Sequence, residues 1–383
     1  MPEPTASAPT VVVIGAGVLG VSTAAQLARR GAAVTLVTEA AVSSGASGRS
    51  LSWLNSAGFR SAEYHALRVA GIDRYRTHLA RTPGAARYLR FDGGLCWAKP
   101  GRSYLERAEH EKAIGYDSEW LSPEEIAAWT PGVDPAAVHS EGAIFNPGEG
   151  WVDLPMLTEH LLAEFLASGG VLRENAGPST VAVERGRAVG AETAAGERLP
   201  ADHVVLATGP AVPRGLAEFG IELPEQTPIS LLVITKPVDV PLRAVLNTPR
   251  VAVRPTPRGT LVLDSGWSER EVVVAADGTW QVRDETVATL LEEASAVLAG
   301  NPRLELDSFA AGPKPIPGDG EPVLGRIDEV PGLHAIFTHS GATLGLIVGE
   351  LIALEVLTGQ PSPLLEPFRA ARFGAVRTPA VPA

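Results

Sequence analysis

A glycine-rich turn near the start of the chain has the residue types and the spacing that bind a dinucleotide. Gly15, Gly17 and Gly20 follow the apolar run Val11–Ile14, and Glu39 comes about twenty residues further on. The first glycine permits a tight turn, the second lets the backbone approach a pyrophosphate, and the third lets a helix pack closely on a strand. A carboxylate at Glu39 can accept hydrogen bonds from the hydroxyls of an adenosine ribose. The pattern therefore predicts a dinucleotide site, and a βαβ unit without a ligand is the structural alternative.

Two strands and a helix must hold this turn in place. Val11–Ile14 is a β-branched run, typical of a strand that is covered on both faces. Ser22–Arg30 is rich in alanine and leucine and predicts a helix, whose N-terminal N–H groups and partial positive charge suit a phosphate. Ala33–Thr38 predicts the second strand, which ends at Glu39. Together these segments predict a Rossmann-type β–turn–α–β unit.

The composition excludes several kinds of chemistry. The 383 residues include 32 basic and 44 acidic side chains, and the net charge of −12 argues against a nucleic-acid partner. The single cysteine, Cys96, excludes an intrachain disulfide, a CxxC redox pair and a multi-cysteine metal centre. We therefore expect no metal site and interpret Cys96 as a small core residue.

Neither end of the chain predicts secretion or a membrane span. The N-terminal segment lacks the basic residues that precede the apolar core of a signal peptide. The long apolar stretch Gly341–Gly359 contains Glu350 and Glu355, and each charge would be costly at a bilayer centre. We therefore expect a cytoplasmic protein without a membrane span.

Four motifs occur in a fixed order along the chain. They are the GAGVLG turn with Glu39, the VVLATGP strand end, the AGPKPIPGDGEPVLG segment and the start of the HSGATLGLIVGEL helix. Together they resemble the flavin-dependent D-amino-acid oxidase family, which includes glycine oxidase, sarcosine oxidase and D-amino-acid dehydrogenase. The resemblance runs over nearly the whole chain and is diffuse between Ser61 and Gly150. These motifs are specific for the fold and the cofactor rather than for the substrate.

The resemblance implies an α/β fold with a discontinuous architecture. A Rossmann-type FAD-binding domain, built on a doubly wound sheet, is assembled from separated pieces. An inserted α+β substrate domain is built on an antiparallel sheet. On this basis we predict the FAD-binding domain at 10–60, 151–213 and 305–383 and the substrate domain at 61–150 and 214–304. Dinucleotide-type signals at both ends of the chain, with hairpin-like segments between them, agree with this division.

The resemblance also implies which residues hold the FAD. The turn glycines would hold the pyrophosphate and Glu39 the adenosine ribose. The other expected contacts are Ser47, Gly48, Arg49 and Ser50 at the pyrophosphate and flavin, Val181 at the adenine, Thr208 and Gly209 beside it, and Gly341, Ala342, Thr343 and Leu344 at the pyrimidine oxygen of the flavin. Sarcosine oxidases attach FAD to a cysteine near the proline-rich segment. No cysteine lies there in this chain, so we expect noncovalent FAD unless a histidine substitutes for the cysteine.

Lys314, Arg49 and His339 are the candidates for the substrate side of the site. The usual Gly-Leu-Arg-Pro pattern of the family reads Gly312-Pro313-Lys314-Pro315 here. Lysine keeps the positive charge but makes a point contact instead of a bidentate fork to a carboxylate. Lys314 could equally be a solvated residue on a rigid loop. His339 gains interest from its position at the start of the flavin-side helix.

The activity that the resemblance implies is oxidation of a C–N bond in an amino acid or a related amine. A hydride would move to flavin N5 and leave an imine, and positioning would supply most of the catalysis. Oxygen or another acceptor would take the electrons. The hairpin 260–266 lacks the oxygen-activating lysine of sarcosine oxidases, so the resemblance does not imply fast reaction with oxygen. Oxidation of a 2-hydroxy acid, tailoring of a natural product, and a non-catalytic flavin-binding role remain alternatives.

Overall fold

The computed structural model describes residues 8–374, which form two compact units. Within these described residues, the first unit contains 8–48, 154–227 and 314–374, and the second contains 49–153 and 228–313. The helices are α1 (Val18–Arg29), α2 (Ala62–Arg81), α3 (Leu105–Ala113), α4 (Ile126–Trp129), α5 (Leu154–Ala167), α6 (Val212–Ala217), α7 (Gly266–Arg270), α8 (Asp284–Ala296) and α9 (Gly341–Thr358).

The strands are β1 (Thr10–Ile14), β2 (Ala33–Val37), β3 (Trp53–Leu54), β4 (Leu89–Arg90), β5 (Gly94–Cys96), β6 (Glu119–Leu121), β7 (Ala143–Asn146), β8 (Gly150–Val152), β9 (Val171–Arg173), β10 (Ser179–Glu184), β11 (Arg187–Thr193), β12 (Arg198–Pro200), β13 (His203–Leu206), β14 (Ile229–Thr235), β15 (Val245–Asn247), β16 (Ala252–Pro255), β17 (Leu261–Asp264), β18 (Val273–Val274), β19 (Trp280–Gln281), β20 (Leu306–Pro313), β21 (Val323–Arg326) and β22 (Leu333–Phe337).

A six-stranded sheet with the order β21-β22-β13-β1-β2-β9 forms the centre of the first unit. Its strands are parallel except for β21, which pairs antiparallel with β22. Strand β1 lies between β13 and β2, and Val11–Ile14 is fully buried, as its β-branched run predicts. The predicted β–turn–α–β unit is confirmed here.

Helix α1 begins earlier than the sequence indicates. We predict a start at Ser22, but the helix runs from Val18 to Arg29. Gly17 has an extended backbone and occupies the N-cap position, so the glycine turn leads directly into the first helical turn. The helix N-terminus therefore lies at the turn itself.

An eight-stranded sheet forms the centre of the second unit, with the order β20-β14-β17-β16-β15-β5-β7-β6. All its neighbouring strands are antiparallel except β15 and β5. Apolar side chains of the sheet and of helix α8, among them Leu231, Val253, Leu263 and Leu290, form its core. The sheet is thus predominantly antiparallel, and it is separate from the parallel sheet of the first unit.

The limits of the compact units differ from the predicted domain limits. Strand β20 pairs along its length with β14, so residues 306–313 belong to the second unit, although we predict 305–383 as part of the FAD-binding domain. Residues 49–60 also lie in the second unit, whereas 214–227 lie in the first. A bridge between Glu225 and Pro317 ties that last segment to the first unit.

In the part of the chain from residue 8 to 374, one helix is long and apolar enough to cross a membrane by length and composition, namely α9. Of this segment, 61% is buried inside the fold. Helix α9 packs against α1, where Gly349 faces Ser22 so closely that a Cβ on the glycine would overlap the serine side chain. This burial is typical of the core helix of a folded unit.

Candidate functional site

The glycine turn is shaped by backbone packing on both sides. Gly15 has a left-handed φ of +107°, and a Cβ on it would overlap the carbonyl oxygen of Ala207. A Cβ on Gly20 would overlap the carbonyl oxygen of Gly15. The N–H of Gly15 donates to the carbonyl of Val37 at 2.8 Å, which fixes the turn against the end of β2. Only glycine fits the first and third motif positions, as the pattern predicts.

The N-terminus of α1 has no negatively charged side chain of its own. Gly17 provides no side-chain cap, and the first turn contains no acidic residue. The N–H of Val18 donates to the hydroxyl of Ser47 at 3.0 Å, and a Cβ on Gly17 would lie 3.1 Å from the same oxygen. Ser47 therefore lies directly at this N-terminus, where the helix dipole favours negative charge.

The N-terminus of α9 lies next to that of α1. A Cβ on Gly341 would be 3.6 Å from a methyl carbon of Leu19 and 3.9 Å from one of Val18. Helix α9 also has no side-chain cap and no acidic residue in its first turn, which contains Ala342, Thr343 and Leu344. Two positive helix ends therefore converge beside the glycine turn, an arrangement that suits a long anionic ligand.

Two buried hydroxyls at the turn have no hydrogen-bond partner within residues 8–374. They are the Oγ1 of Thr208 and the Oγ of Ser43. Thr208 follows Ala207, which packs on Gly15, and the N–H of Ser43 donates to the carbonyl of Ala16 at 3.0 Å. A buried hydroxyl without a partner costs free energy. Both hydroxyls are therefore available to a polar ligand held at the turn.

The residues that we predict at the adenosine end of the nucleotide also lie in the first unit. Glu39 is exposed just after β2, and its carbonyl accepts the N–H of Gly177 at 3.1 Å. Val181 is buried on β10, and Gly209 continues from Thr208 with a left-handed φ of +58°. Their roles toward a nucleotide stay predictions.

Comparison with known proteins decides the family. Residues 10–354 match the sequence profile of the DAO family, described as FAD dependent oxidoreductase. The chain belongs to this family. It is therefore an FAD-dependent enzyme, as the four motifs predict.

Relatives and solved structures of this family cover nearly the whole chain. A D-amino acid dehydrogenase of Cereibacter sphaeroides is 27% identical over 93% of this chain and 93% of its own. Glycine oxidase from Bacillus cereus ATCC 14579 has a TM-score of 0.78 at 23% identity and covers 94% of this chain and 97% of its own. L-Amino acid deaminase from Proteus myxofaciens has a TM-score of 0.83 at 19% identity and covers 97% and 95%. The two structural likenesses show the shared DAO fold.

The residues of the first unit fit the FAD that this family uses. The paired helix ends suit a pyrophosphate, and the hydroxyls of Ser43 and Thr208 lack partners that such a ligand would supply. Gly48 lies in the same loop as Ser47, and a Cβ on it would overlap the carbonyl oxygen of Ser43. The loop backbone is therefore as closely packed as the turn that it borders.

The predicted substrate-side residues of this oxidoreductase are divided between the two units. Lys314, which is partly buried, and His339, which is exposed, belong to the first unit. Arg49 belongs to the second unit, and so does Ser50, which we predict as an FAD contact. The guanidinium of Arg49 packs so closely on Gly312 that a Cβ on the glycine would overlap it, and burial lowers the pKa of Arg49. The roles of these residues toward a substrate stay predictions.

Glu149 is a buried carboxyl group in the second unit that no sequence pattern identifies. Glu149 is fully buried, and its Oε1 accepts the hydroxyl of Tyr116 at 2.6 Å. The Tyr116 oxygen accepts the N–H of Ser56 at 2.8 Å. Burial raises the pKa of Glu149 to about 7. No local pattern marks this residue, because it lies in the stretch where the family resemblance is diffuse and its burial arises from tertiary packing.

A second buried carboxylate, Glu111, lies nearby in the same unit but is fully paired. It accepts hydrogen bonds from the N–H of Gly58 at 2.7 Å, from Arg107 at 2.8 Å and from Asn146 at 2.9 Å. Burial alone would raise the pKa of Glu111, but the hydrogen bonds from Asn146 and Arg107 outweigh it and lower the pKa. Glu111 is therefore an ionised structural anchor, whereas Glu149 is a weakly acidic group.

Proposed function

We propose that this FAD-dependent enzyme oxidises the C–N bond of an amino acid or a related amine and releases an imine. The observation that carries the proposal is the match to D-amino acid dehydrogenases over 93% of both chains. Bound FAD would supply the acceptor for a hydride at N5. Oxidation of a 2-hydroxy acid would use the same hydride transfer to the flavin, but none of the residues that the structure describes favours it.

The protein's own contribution is binding and charge stabilisation. The first turn of α9, residues Gly341 to Leu344, would direct its N–H groups and positive helix end toward the pyrimidine oxygen of the flavin. Lys314 would give a positive charge to the carboxylate side of the substrate. No strong general base is needed if the amine binds in its neutral form, so positioning supplies most of the rate enhancement.

An anaerobic reduction screen tests this proposal. The purified holoenzyme is mixed with D- and L-amino acids, N-methyl amines and 2-hydroxy acids, and the visible flavin absorbance is followed. We expect bleaching by at least one amino acid or amine. Bleaching by 2-hydroxy acids alone would contradict the proposal, and a flavin that no substrate reduces would support a non-catalytic role.

The same preparation also tests which electron acceptor is used and how FAD is attached. Readmission of air shows whether oxygen reoxidises the flavin or another acceptor is needed. We propose noncovalent FAD, so acid precipitation should leave all the yellow colour in the supernatant. A coloured pellet would mean a covalent bond.

A further inference from the structure

Arg60 is a cation of the second unit, on the segment that leads from β3 into α2. Its side chain is partly buried, and the guanidinium carbon lies 5.5 Å from the ring centroid of Tyr64. Nε is buried and has no hydrogen-bond partner within residues 8–374, and no carboxylate of those residues forms an ion pair with the guanidinium. Arg60 therefore combines partial desolvation with a missing partner, which costs free energy until a ligand supplies that partner.

A second arginine brings a like charge to the same place. The guanidinium carbon of Arg68 lies 5.3 Å from the ring centroid of Tyr64 as well. Arg68 is only 4% exposed and donates to the carbonyl and side-chain oxygens of Asn55, at 2.8 Å each. Burial and the charge of Arg68 together lower the pKa of Arg60 to about 10. The surroundings of Arg60 are therefore positive, and they favour an anion.

The carboxyl group that acts on Arg60 is a poor counterion. Besides Arg68, the ionisable groups whose charge acts on Arg60 are Tyr64, Glu149 and Tyr116. Glu149 is fully buried, and its Oε1 accepts the hydroxyl of Tyr116 at 2.6 Å. Burial raises the pKa of Glu149 to about 7, so below neutral pH this group keeps its proton and leaves Arg60 without a counterion.

Two histidines lie in the same region. His65 on α2 shares a hydrogen bond between its Nδ1 and the Oγ of Ser56, at 2.9 Å, and it is close enough to Arg60 and His110 for their charges to act on it. Burial lowers the pKa of His65. The Nε2 of His110 on α3 is buried and has no hydrogen-bond partner within residues 8–374. A second nitrogen in this part of the second unit is therefore available to a polar ligand.

We propose that Arg60 anchors a site for a small divalent oxyanion, of the class of sulfate and hydrogen phosphate. A guanidinium binds such oxygens through two parallel N–H bonds, and Nε with one Nη forms such a fork. A divalent anion is also attracted by the neighbouring charge of Arg68 more strongly than a monovalent one. All these residues belong to the second unit, whereas the glycine turn belongs to the first, and the inference does not rest on the proposed function.

Sulfate and acetate test the inference on the holoenzyme. Dissociation constants are measured by isothermal titration calorimetry at pH 6, and melting temperatures are compared with those in chloride at equal ionic strength. Excess FAD is present, so that sulfate does not occupy the helix ends of α1 and α9. The variants are Arg60→Met, Arg60→Lys and, as the matched control, Arg258→Met, which changes an exposed arginine of the same unit.

We expect sulfate to bind the wild type and Arg258→Met and to raise their melting temperatures. Arg60→Met should weaken sulfate at least about tenfold, with Arg60→Lys in between, because lysine keeps the charge and loses the fork. Acetate should bind the wild type more weakly than sulfate does. Absence of sulfate binding in the wild type, unchanged affinity in Arg60→Met, or equal affinities for the two anions would overturn the inference.

The folding of the variant is checked in the absence of sulfate. The melting temperature of Arg60→Met should equal or exceed that of the wild type, because a partly buried charge without a counterion has been removed. A lower melting temperature together with unchanged sulfate affinity would assign Arg60 a structural role and overturn the inference.

The protonation of Glu149 gives an independent readout. At pH 8 Glu149 is mostly ionised and competes with the anion for Arg60, so sulfate should bind several-fold more weakly than at pH 6. Sulfate itself keeps its charge over this range. Glu149→Gln should remove most of the difference between the two pH values. A difference that persists in Glu149→Gln would overturn the role of Glu149 as the competing group.

Discussion

At the scale of single residues, the burial of Glu149 makes the free energy of unfolding depend on pH. Its pKa in the folded protein is about 7, against an ordinary value of 4.5. Below the unfolded pKa both states are protonated. As the pH rises from 4.5 to about 7, the unfolded chain loses the proton first, so the free energy of unfolding falls until the folded pKa is passed. At about 1.4 kcal/mol per pH unit, the total decrease in the free energy of unfolding is about 3 kcal/mol.

Glu149→Gln should remove this contribution. Urea unfolding at pH 5 and pH 8 should show a smaller loss of stability between the two values in the variant than in the wild type. Glu159→Gln, a change at an exposed position of α5, is the control and should leave the difference as it is. Equal pH dependence in Glu149→Gln and the wild type would mean that this carboxyl group is ionised in the fold.

Residues differ in how far the sequence reveals them. Gly15 and Gly20 are predictable because the local turn packs backbone against each of them and leaves no room for a side chain. Glu149 is not predictable, because what distinguishes it is its complete burial, which arises from packing between segments that are distant in the sequence. Lys314 is visible as a departure from the Gly-Leu-Arg-Pro pattern of the family, and its role toward a substrate stays a prediction.

At the scale of elements, helix α1 packs closely on the glycine turn where we predict the nucleotide. Gly20→Ala would place a methyl group on the carbonyl oxygen of Gly15, which belongs to rigid backbone. We expect a drop of several degrees in melting temperature and loss of most of the bound FAD, measured as the ratio of flavin to protein absorbance. Gly45→Ala is the control, since a Cβ there meets no atom within 4 Å. Normal FAD content in Gly20→Ala would contradict the packing described here.

A buried ion pair joins helix α9 to the segment that follows it. Arg369 donates to both oxygens of Glu355, at 2.8 and 2.6 Å, and Glu355 is only 2% exposed. Arg369→Met should cost about 3–5 kcal/mol in urea unfolding because it leaves a buried carboxylate unpaired. The double variant with Glu355→Gln should recover part of that loss. Arg326→Met, which breaks an exposed pair with Asp328, should cost at most about 1 kcal/mol. Equal costs at the two sites would show that the Glu355 pair behaves as a surface pair.

The sequence predicts a helix or strand correctly where one continuous apolar run coincides with that element. The β-branched run of β1 and the apolar stretch of α9 give correct assignments, since each is buried along most of its length. The sequence predicts the start of α1 at Ser22, which is too late, because the alanine-rich stretch gives a stronger helical signal than the glycine turn from which the helix begins. Strand β20 is an element that the sequence does not assign to the correct unit. Its pairing with β14 places it in the second unit, and this pairing cannot be deduced from the residues of β20 alone.

At the scale of the whole molecule, FAD should stabilise the fold by mass action. Protein stripped of flavin should gain about 2.7 kcal/mol when FAD is present at about 100 times its Kd. Riboflavin is the control. It lacks the pyrophosphate that the helix ends of α1 and α9 suit, so it should give little or no shift in melting temperature. An equal shift with riboflavin would show that these helix ends do not contribute to binding.

The predicted division into an FAD-binding domain and a substrate domain stays a prediction, and several of its limits differ from those of the two compact units. Signals for a nucleotide fold at both ends of the chain indicate a discontinuous unit, but only pairing decides where each segment belongs. A cytoplasmic location stays a prediction.

The contact between α1 and α9 has a consequence for biosynthesis. Helix α1 leaves the ribosome more than three hundred residues before its partner α9. The corner that the two helix ends form therefore does not exist in the nascent chain until α9 has been synthesised. We expect coenzyme capture to wait for α9, which makes this helix the step that commits the polypeptide to its mature, coloured form.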